Sequence, residues 1–191
     1  MSPALVFILA WVAWAVSWIA AAGWSGRTER RAPIAAVWRY RLLILAGALL
    51  LNHRASLFLH AGRLWHVGYA GGYALAGVAI TGFAFTWWAR LQLGRLWSGN
   101  VTLKEGHVVV DRGPYALVRH PIYTGLILAT LATAAAIATL PSLVGGALVC
   151  TGFYLKARLE EGFLAVELGD GAYAEYCRRV PMLVPFGPAG S

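Results

Sequence analysis

The chain has 191 residues, of which 59% are hydrophobic and 13% are charged, and its mean hydropathy is +0.63. Soluble domains contain about 25% charged residues, and the apolar residues here form runs too long for core helices. This composition excludes a soluble enzyme, a disordered chain and a secreted disulfide scaffold. It predicts an integral membrane protein.

Five apolar stretches are candidates for membrane-spanning helices, which need about 20 mostly apolar residues. They cover residues 3–24, 42 to about 59, 67–88, 122–140 and 143–155. The first stretch lacks the basic start and the small-residue cleavage site of a signal peptide, so it is predicted to be a span. The uncharged turn Leu140-Pro141-Ser142 predicts that the last two spans form a tight helical hairpin.

The sequence therefore predicts an all-α polytopic membrane protein of about five transmembrane helices. Residues 1–88 form an N-terminal membrane region with three spans, and residues 89–191 form a catalytic region. This second region contains a cytoplasmic loop, the hairpin, and an amphipathic C-terminal helix that begins at Lys156 and is followed by a proline-rich tail.

The basic residues are concentrated on one predicted side of the membrane. With residues 25–41 in the cytoplasm, alternation of the spans leaves Arg54 and Arg63 outside and the other fourteen basic residues inside. This pattern predicts an external N-terminus and a cytoplasmic C-terminus. The net charge of +8 then reflects topology and attraction to anionic lipid, and no motif indicates a nucleic-acid partner. The high Arg, Ala and Gly content suggests a GC-rich bacterium, and hence a bacterial inner membrane.

Two predicted cytoplasmic segments, residues 89–123 and 156–186, contain the polar residues that could form a site. Arg119-His120-Pro121 precedes the fourth span, and proline suits the first turn of a helix. The N–H groups and the dipole at this end would attract an anion. Gly125 would allow a second backbone or a flat ligand to approach closely.

The fourth and fifth spans are antiparallel neighbours in this interpretation, so their cytoplasmic ends should meet. Residues 119–123 would then face Glu160 and Glu161. A basic and aromatic corner opposite two carboxylates suits a zwitterionic ligand that carries an aromatic base and a diol.

Each of these elements also has a purely structural explanation when it is taken alone. Arg119 could be an interfacial charge, and Tyr115 and Tyr123 could be interfacial aromatics. The two glutamates could lie on a solvated helix face, and His107 could be an ordinary residue of a strand. The joint occurrence of the elements at these spacings favours a site.

The joint pattern consists of Gly-Pro-Tyr-x-x-Val-Arg-His-Pro-x-Tyr-x-Gly at residues 113–125, a hydrophobic hairpin, Glu-Glu-x-x-Leu at residues 160–164, and a Tyr-x-x-Tyr…Arg-Val-Pro…Pro-Phe tail at residues 173–186. Over about residues 91–186, this pattern resembles the isoprenylcysteine carboxyl methyltransferase family. The resemblance implies a polytopic membrane enzyme that uses S-adenosylmethionine and releases S-adenosylhomocysteine. It also implies a cofactor site between the mouth of the hairpin and the C-terminal helix. The residues expected to bind the cofactor are Asn100, His107, Val108, Val109, Val110, Tyr115, His120, Pro121, Ile122, Tyr123, Glu160 and Glu161.

The resemblance leaves the methyl acceptor less well defined than the cofactor. Lys156 stands at the position of the substrate-orienting arginine of the family, and it cannot form a bidentate contact with a carboxylate. Arg158 could take over this role, and Arg119 completes the set of expected catalytic residues. A carboxylate acceptor needs no general base, whereas an amine or a thiol would need one, for which His107, His120 or a glutamate are the candidates.

The expected acceptor is a lipid-like or small carboxylate, and phospholipids, thiols and amines remain alternatives. An NADPH-dependent membrane reductase of the steroid-reductase type and a non-enzymatic membrane protein are the rival functions. No metal site is expected, because Cys150 and Cys177 lack metal-ligand spacing and are predicted to be free thiols.

Overall fold

The computed structural model describes residues 1–25, 28–31, 34–52, 58–98, 102–104, 109–168 and 171–189. These residues contain six α-helices: α1 (Pro3–Ala20), α2 (Ile34–Leu51), α3 (Tyr69–Leu93), α4 (Pro121–Ile137), α5 (Leu140–Leu168) and α6 (Ala172–Arg179). Within the described part of the chain, three segments are long and apolar enough to cross a membrane: Pro3–Gly23, Tyr69–Leu96 and Leu140–Glu167. Pro121–Ile137 is a shorter apolar helix. The predicted all-α polytopic fold is confirmed, and the number of five spans stays a prediction.

Two predicted helix boundaries are wrong. The helix α2 begins at Ile34, before the predicted start at residue 42, so Arg39 and Arg41 belong to a helix instead of a loop. The helix α5 is continuous from Leu140 to Leu168, so the predicted fifth span and the predicted amphipathic C-terminal helix are one element. Lys, Arg and Glu are good helix formers. The helix α5 therefore continues through the charged residues from Lys156 onward, although these residues are polar and the stretch before them is apolar.

A short antiparallel β-ribbon adds to the helices where only loops were predicted. The strand β1 (Thr28–Arg31) pairs with β2 (Thr102–Lys104), and Thr28 lies opposite Lys104. The ribbon joins the segment before α2 to the segment after α3. Both segments therefore lie at the same end of the helices, as the predicted topology requires.

The helices α4 and α5 form the predicted hairpin, but its turn comes earlier than expected. Ala138 ends α4 in the left-handed conformation, with φ of 59°. The Thr139 N–H donates to Ser142 Oγ at 3.1 Å, and the Ser142 N–H donates to Thr139 Oγ1 at 3.3 Å. These reciprocal bonds cap α5. Pro141 consequently lies in the first turn of α5 and not in the connecting turn.

Glycines set the distance between the main helix pairs. A Cβ atom at Gly82 of α3 would lie 2.5 Å from the carbonyl oxygen of Gly125 on α4. A Cβ atom at Gly47 of α2 would lie equally close, at 2.5 Å, to the carbonyl oxygen of Gly145 on α5. Such contacts between small residues are typical of membrane helices. Gly125 was expected to admit either a second backbone or a flat ligand, and the structure shows the backbone of α3 there.

The helix α1 is attached to the α3–α4 pair through its tryptophans. Trp11 Nε1 donates to Thr133 Oγ1 on α4 at 3.0 Å, and Trp14 Nε1 donates to Thr86 Oγ1 on α3 at 2.8 Å. Trp14 also stacks on Phe83, with 5.7 Å between the ring centroids. A buried indole N–H needs a hydrogen-bond acceptor, so these contacts fix α1 against its neighbours.

Candidate active site

A cavity of about 260 Å³ lies at the mouth of the α4–α5 hairpin. Its volume is close to the lower end of the usual range for small-molecule sites, about 300–1,000 Å³. Nine of the predicted site residues are in its wall: Val109, Val110, Tyr115, Arg119, His120, Ile122, Tyr123, Lys156 and Glu160. The structure thus brings most of the described site residues to one cavity.

The other predicted site residues are outside the cavity wall or outside the described residues. Pro121 is buried at the start of α4. Arg158 is exposed on α5. Glu161 lies behind the wall, against Arg119 and His120. Asn100, His107 and Val108 belong to segments that lie outside the described residues.

The predicted meeting of the first turn of α4 with the acidic pair on α5 is confirmed. The Tyr123 hydroxyl donates to Glu160 Oε2 at 2.6 Å. The Tyr123 ring stacks on the His120 ring at 5.3 Å, with 8° between their planes. Phe153 of α5 also stacks on the Tyr123 ring, with 5.5 Å between the ring centroids. Tyr123 is therefore held by both helices.

Arg119 and Glu161 form a buried ion pair. Arg119 Nε lies 2.8 Å from Glu161 Oε1, and the two side chains are 2% and 12% exposed. Arg119 Nη1 also donates to the carbonyl of Cys177 at 2.9 Å. His120 Nε2 lies 3.1 Å from the same Glu161 oxygen. The two glutamates consequently differ, because Glu161 pairs with Arg119 and His120 behind the wall, whereas Glu160 contacts Tyr123 and is part of the cavity wall.

The proline-rich tail supports the start of α4 through main-chain bonds. The Arg119 N–H donates to the carbonyl of Pro181 at 2.9 Å, and the His120 N–H donates to that of Met182 at 3.1 Å. The Thr124 hydroxyl donates to the carbonyl of Leu183 at 2.7 Å. The groups before a helix have no partner inside the helix. The tail therefore satisfies them and orients Arg119 and His120.

Lys156 brings a positive charge to the cavity wall from the α5 side. Its Nζ lies 4.9 Å from the centroid of the Tyr123 ring and 5.7 Å from that of Tyr40 on α2. Both distances fall within the range of cation–π contacts. An ammonium group held over these rings is well placed to meet an anion in the cavity.

Tyr115 and Tyr176 form a pair in the cavity wall, outside the membrane-spanning segments. The Tyr176 hydroxyl donates to the carbonyl of Tyr115 at 2.7 Å. Burial raises the pKa of Tyr115 well above its ordinary value, and the charge of Glu160 raises it further. Burial also raises the pKa of Tyr176. Both hydroxyls therefore stay protonated near neutral pH and can donate hydrogen bonds.

Several residues of the wall were not predicted as site residues. Phe153 and Leu164 share one face of α5 with Lys156 and Glu160, because they are spaced by three or four residues. This spacing would have identified both if α5 had been predicted as one helix. Trp18 of α1 has no such signal, because only the packing of α1 on α3 brings it to the cavity.

The model of the isoprenylcysteine carboxyl methyltransferase family matches residues 75–166 of the chain. The chain is 33% identical over 103 residues to a protein-S-isoprenylcysteine O-methyltransferase of Schizosaccharomyces pombe, covering 52% of the chain and 43% of that protein. It is 26% identical over 173 residues to a probable protein-S-isoprenylcysteine O-methyltransferase of Oryza sativa subsp. indica, covering 88% of each. It is also 42% identical over 76 residues to methanethiol S-methyltransferase 2 of Bradyrhizobium diazoefficiens, covering 37% of the chain and 26% of that protein. The segment that matches the family model, residues 75–166, includes the hairpin and both glutamates of the acidic pair, so the similarity to the isoprenylcysteine carboxyl methyltransferase family lies in the part of the chain that forms the cavity's acidic side.

Proposed function

We propose that the protein is a membrane methyltransferase that transfers a methyl group from S-adenosylmethionine to a small or lipid-like acceptor with an anionic nucleophile. The observation that carries this proposal is the cavity in which Glu160 and Tyr123 face each other across the hairpin beside Lys156. The match of residues 75–166 to the isoprenylcysteine carboxyl methyltransferase family supports methyl transfer as the reaction.

The chemistry of the wall fits this cofactor. The rings of Tyr115 and His120 in the cavity wall offer flat surfaces for an adenine base. Glu160 offers a carboxylate that accepts hydrogen bonds from ribose hydroxyls or from an ammonium group. The first turn of α4 offers N–H groups and a positive dipole end for the methionine carboxylate. These three kinds of group match the three chemical parts of the cofactor.

Bound S-adenosylmethionine supplies an electrophilic methyl group, and the residues of the chain bind and orient the reactants. Glu160 is kept in place by the Tyr123 hydroxyl, and His120 is kept in place by Glu161. The apolar part of the wall, which includes Leu126 and Phe153, excludes water from the reacting groups. Catalysis of this kind depends on position more than on proton transfer.

Lys156 is the residue that we assign to the acceptor. Its ammonium group would attract a carboxylate or a thiolate into the cavity. Arg119 is engaged with Glu161 and Cys177, so it orients the site instead of binding the acceptor. Arg158 is exposed and outside the wall, so it is the weaker of the two candidates on α5.

The proposed orientation follows the distribution of charge along the chain. The external N-terminus would place the cavity and the C-terminal segment on the cytoplasmic side, where S-adenosylmethionine is available. The acceptor would then enter from the cytoplasm or laterally from the lipid. A bacterial inner membrane is the proposed location.

The test is a methyl-transfer screen with the full chain in lipid nanodiscs and S-adenosylmethionine labelled with tritium in its methyl group. The acceptors are prenylcysteine analogues, phosphatidylethanolamine, small thiols and small carboxylic acids. We expect transfer to at least one anionic acceptor and calorimetric binding of S-adenosylhomocysteine. Binding of NADPH without binding of S-adenosylhomocysteine would overturn the proposal in favour of a reductase.

A further inference from the structure

Arg90 lies in the last turn of α3 and is completely buried, with an exposed fraction of 0%. The positive-inside pattern counts it among the cytoplasmic charges that set topology, but this role requires no burial. A buried guanidinium is costly unless polar contacts replace its water. The contacts that replace water around Arg90 therefore indicate what the residue does.

The guanidinium joins the ends of two helices through main-chain carbonyls. Nη1 donates to the carbonyl of Gly94 at 2.6 Å, and Nη2 donates to the carbonyls of Ala21, at 3.0 Å, and of Trp24. Gly94 directly follows α3, and Ala21 and Trp24 follow α1. These bonds come from two separate nitrogens of the planar arginine fork, whereas a lysine has only one nitrogen from which to donate.

The same guanidinium also lies against two tryptophan rings. It is 4.4 Å from the ring centroid of Trp97 and 4.8 Å from that of Trp24. Trp97 packs edge-on against Trp18 at 5.5 Å, and its carbonyl accepts a bond from the Ser25 hydroxyl at 2.8 Å. Trp18 and Trp97 both belong to the cavity wall.

We infer that Arg90 is a positioning residue that holds Trp97 and the end of α1 against the cavity. Arg90 thereby fixes the shape of the part of the cavity that Trp18 and Trp97 line. The identity of the bound ligand in this inference rests on the proposed function, whereas the position of Trp97 does not. A cavity this small has little room for error in alignment, and a shift of about 1 Å is enough to lower a rate strongly.

The test compares Arg90→Met with Arg95→Met in the full chain in detergent micelles. Arg95 follows α3 by two residues and is exposed, so it is a matched basic control. Acrylamide quenching of tryptophan fluorescence measures the access of solvent to the rings. We expect Arg90→Met to raise the quenching constant roughly 1.3-fold, because a ring that loses its cation contact becomes more mobile. The rise should become smaller when Trp97 is also replaced by phenylalanine.

A double-mutant cycle with Trp97→Ala then tests whether Arg90 acts through Trp97. Each single variant should weaken calorimetric binding of S-adenosylhomocysteine about tenfold, and the double variant should lose little more than Trp97→Ala alone. Additive losses would overturn the inference, because a general structural role predicts independent effects. An equal loss of S-adenosylhomocysteine affinity in Arg95→Met would also overturn the inference. So would an unchanged quenching constant in a folded Arg90→Met variant.

Arg90→Lys is a milder substitution that keeps the inference testable if Arg90→Met does not fold. It keeps the charge near the rings and lacks the fork, so we expect about threefold weaker binding with a smaller rise in quenching. A lysine variant with the binding and quenching of the unmodified chain would show that the fork is unnecessary and would overturn the inference. If the unmodified chain does not bind S-adenosylhomocysteine, the proposed function fails, and the quenching series alone decides whether Arg90 positions Trp97.

Discussion

Glu160 accepts a hydrogen bond from the Tyr123 hydroxyl at 2.6 Å, and this bond joins the first turn of α4 to the C-terminal third of α5. The neighbouring Glu161 pairs instead with Arg119, with 2.8 Å between Arg119 Nε and Glu161 Oε1. Adjacent residues of a helix point about 100° apart, so two glutamates in sequence serve two different surroundings. One is available to a ligand in the cavity, and the other holds the site together.

Replacement of Glu160 should weaken binding of the cofactor product without unfolding the protein. Glu160→Gln removes a charged acceptor in the cavity, a loss of about 1.5–3 kcal/mol, so S-adenosylhomocysteine should bind at least about tenfold less tightly. Tyr123→Ala should weaken binding as well, because the carboxylate loses its donor and the His120 ring loses its stacking partner. Isothermal titration calorimetry measures both. Unchanged affinity in both variants would show that the cofactor site is elsewhere.

Replacement of Glu161 should instead lower stability. Glu161→Gln leaves the buried charge of Arg119 without its counter-charge, which costs about 3–5 kcal/mol for a buried pair. Glu175→Gln is the matched control, because Glu175 pairs with Arg179 only at 3.7 Å and both side chains are more than half exposed. A surface pair contributes about 0–1 kcal/mol. Thermal unfolding in detergent should therefore separate the two variants, and equal melting temperatures would contradict the division of roles.

Replacement of Lys156 should reduce turnover more than it reduces cofactor affinity. Lys156→Ala removes the ammonium group over the Tyr123 ring, which we assign to the acceptor. We expect kcat/KM for an anionic acceptor to fall about tenfold or more, with a change in S-adenosylhomocysteine affinity of less than about threefold. Arg158→Ala removes a charge from the exposed side of the same helix and should have the smaller effect on turnover. An equal loss of affinity and turnover in Lys156→Ala would make Lys156 a cofactor contact.

The meeting of residues 119–123 with the acidic pair could be predicted from the sequence because it needs only local information. An uncharged turn between two apolar stretches specifies an antiparallel hairpin, and a hairpin brings its two open ends together. The different surroundings of Glu160 and Glu161 could not be predicted in this way. They depend on the rotation of α5 about its axis, which tertiary packing decides through contacts such as Gly47 with Gly145.

The role of Arg90 also could not be predicted from the sequence. A positive charge at the end of an apolar helix is equally compatible with topology, with lipid contact and with a buried structural role. The partners of Arg90 at Ala21 and Trp24 are far away in sequence and are main-chain carbonyls, which every residue has. Only the position of α1 against α3 identifies them.

Substitution of Gly125 should destabilise the protein by forcing α3 and α4 apart. In Gly125→Ala, the new methyl group would collide with the Gly82 carbonyl oxygen and lie 2.7 Å from Thr86 Cγ2. Overpacking of this kind costs about 1–3 kcal/mol. Gly77→Ala on α3 is the matched control, because nothing lies within 4 Å of its added methyl group and alanine is the better helix former. Thermal unfolding followed by circular dichroism should show a lower melting temperature for Gly125→Ala and an unchanged or higher one for Gly77→Ala. Equal stability of the two variants would mean that this glycine contact does not limit the approach of the helices.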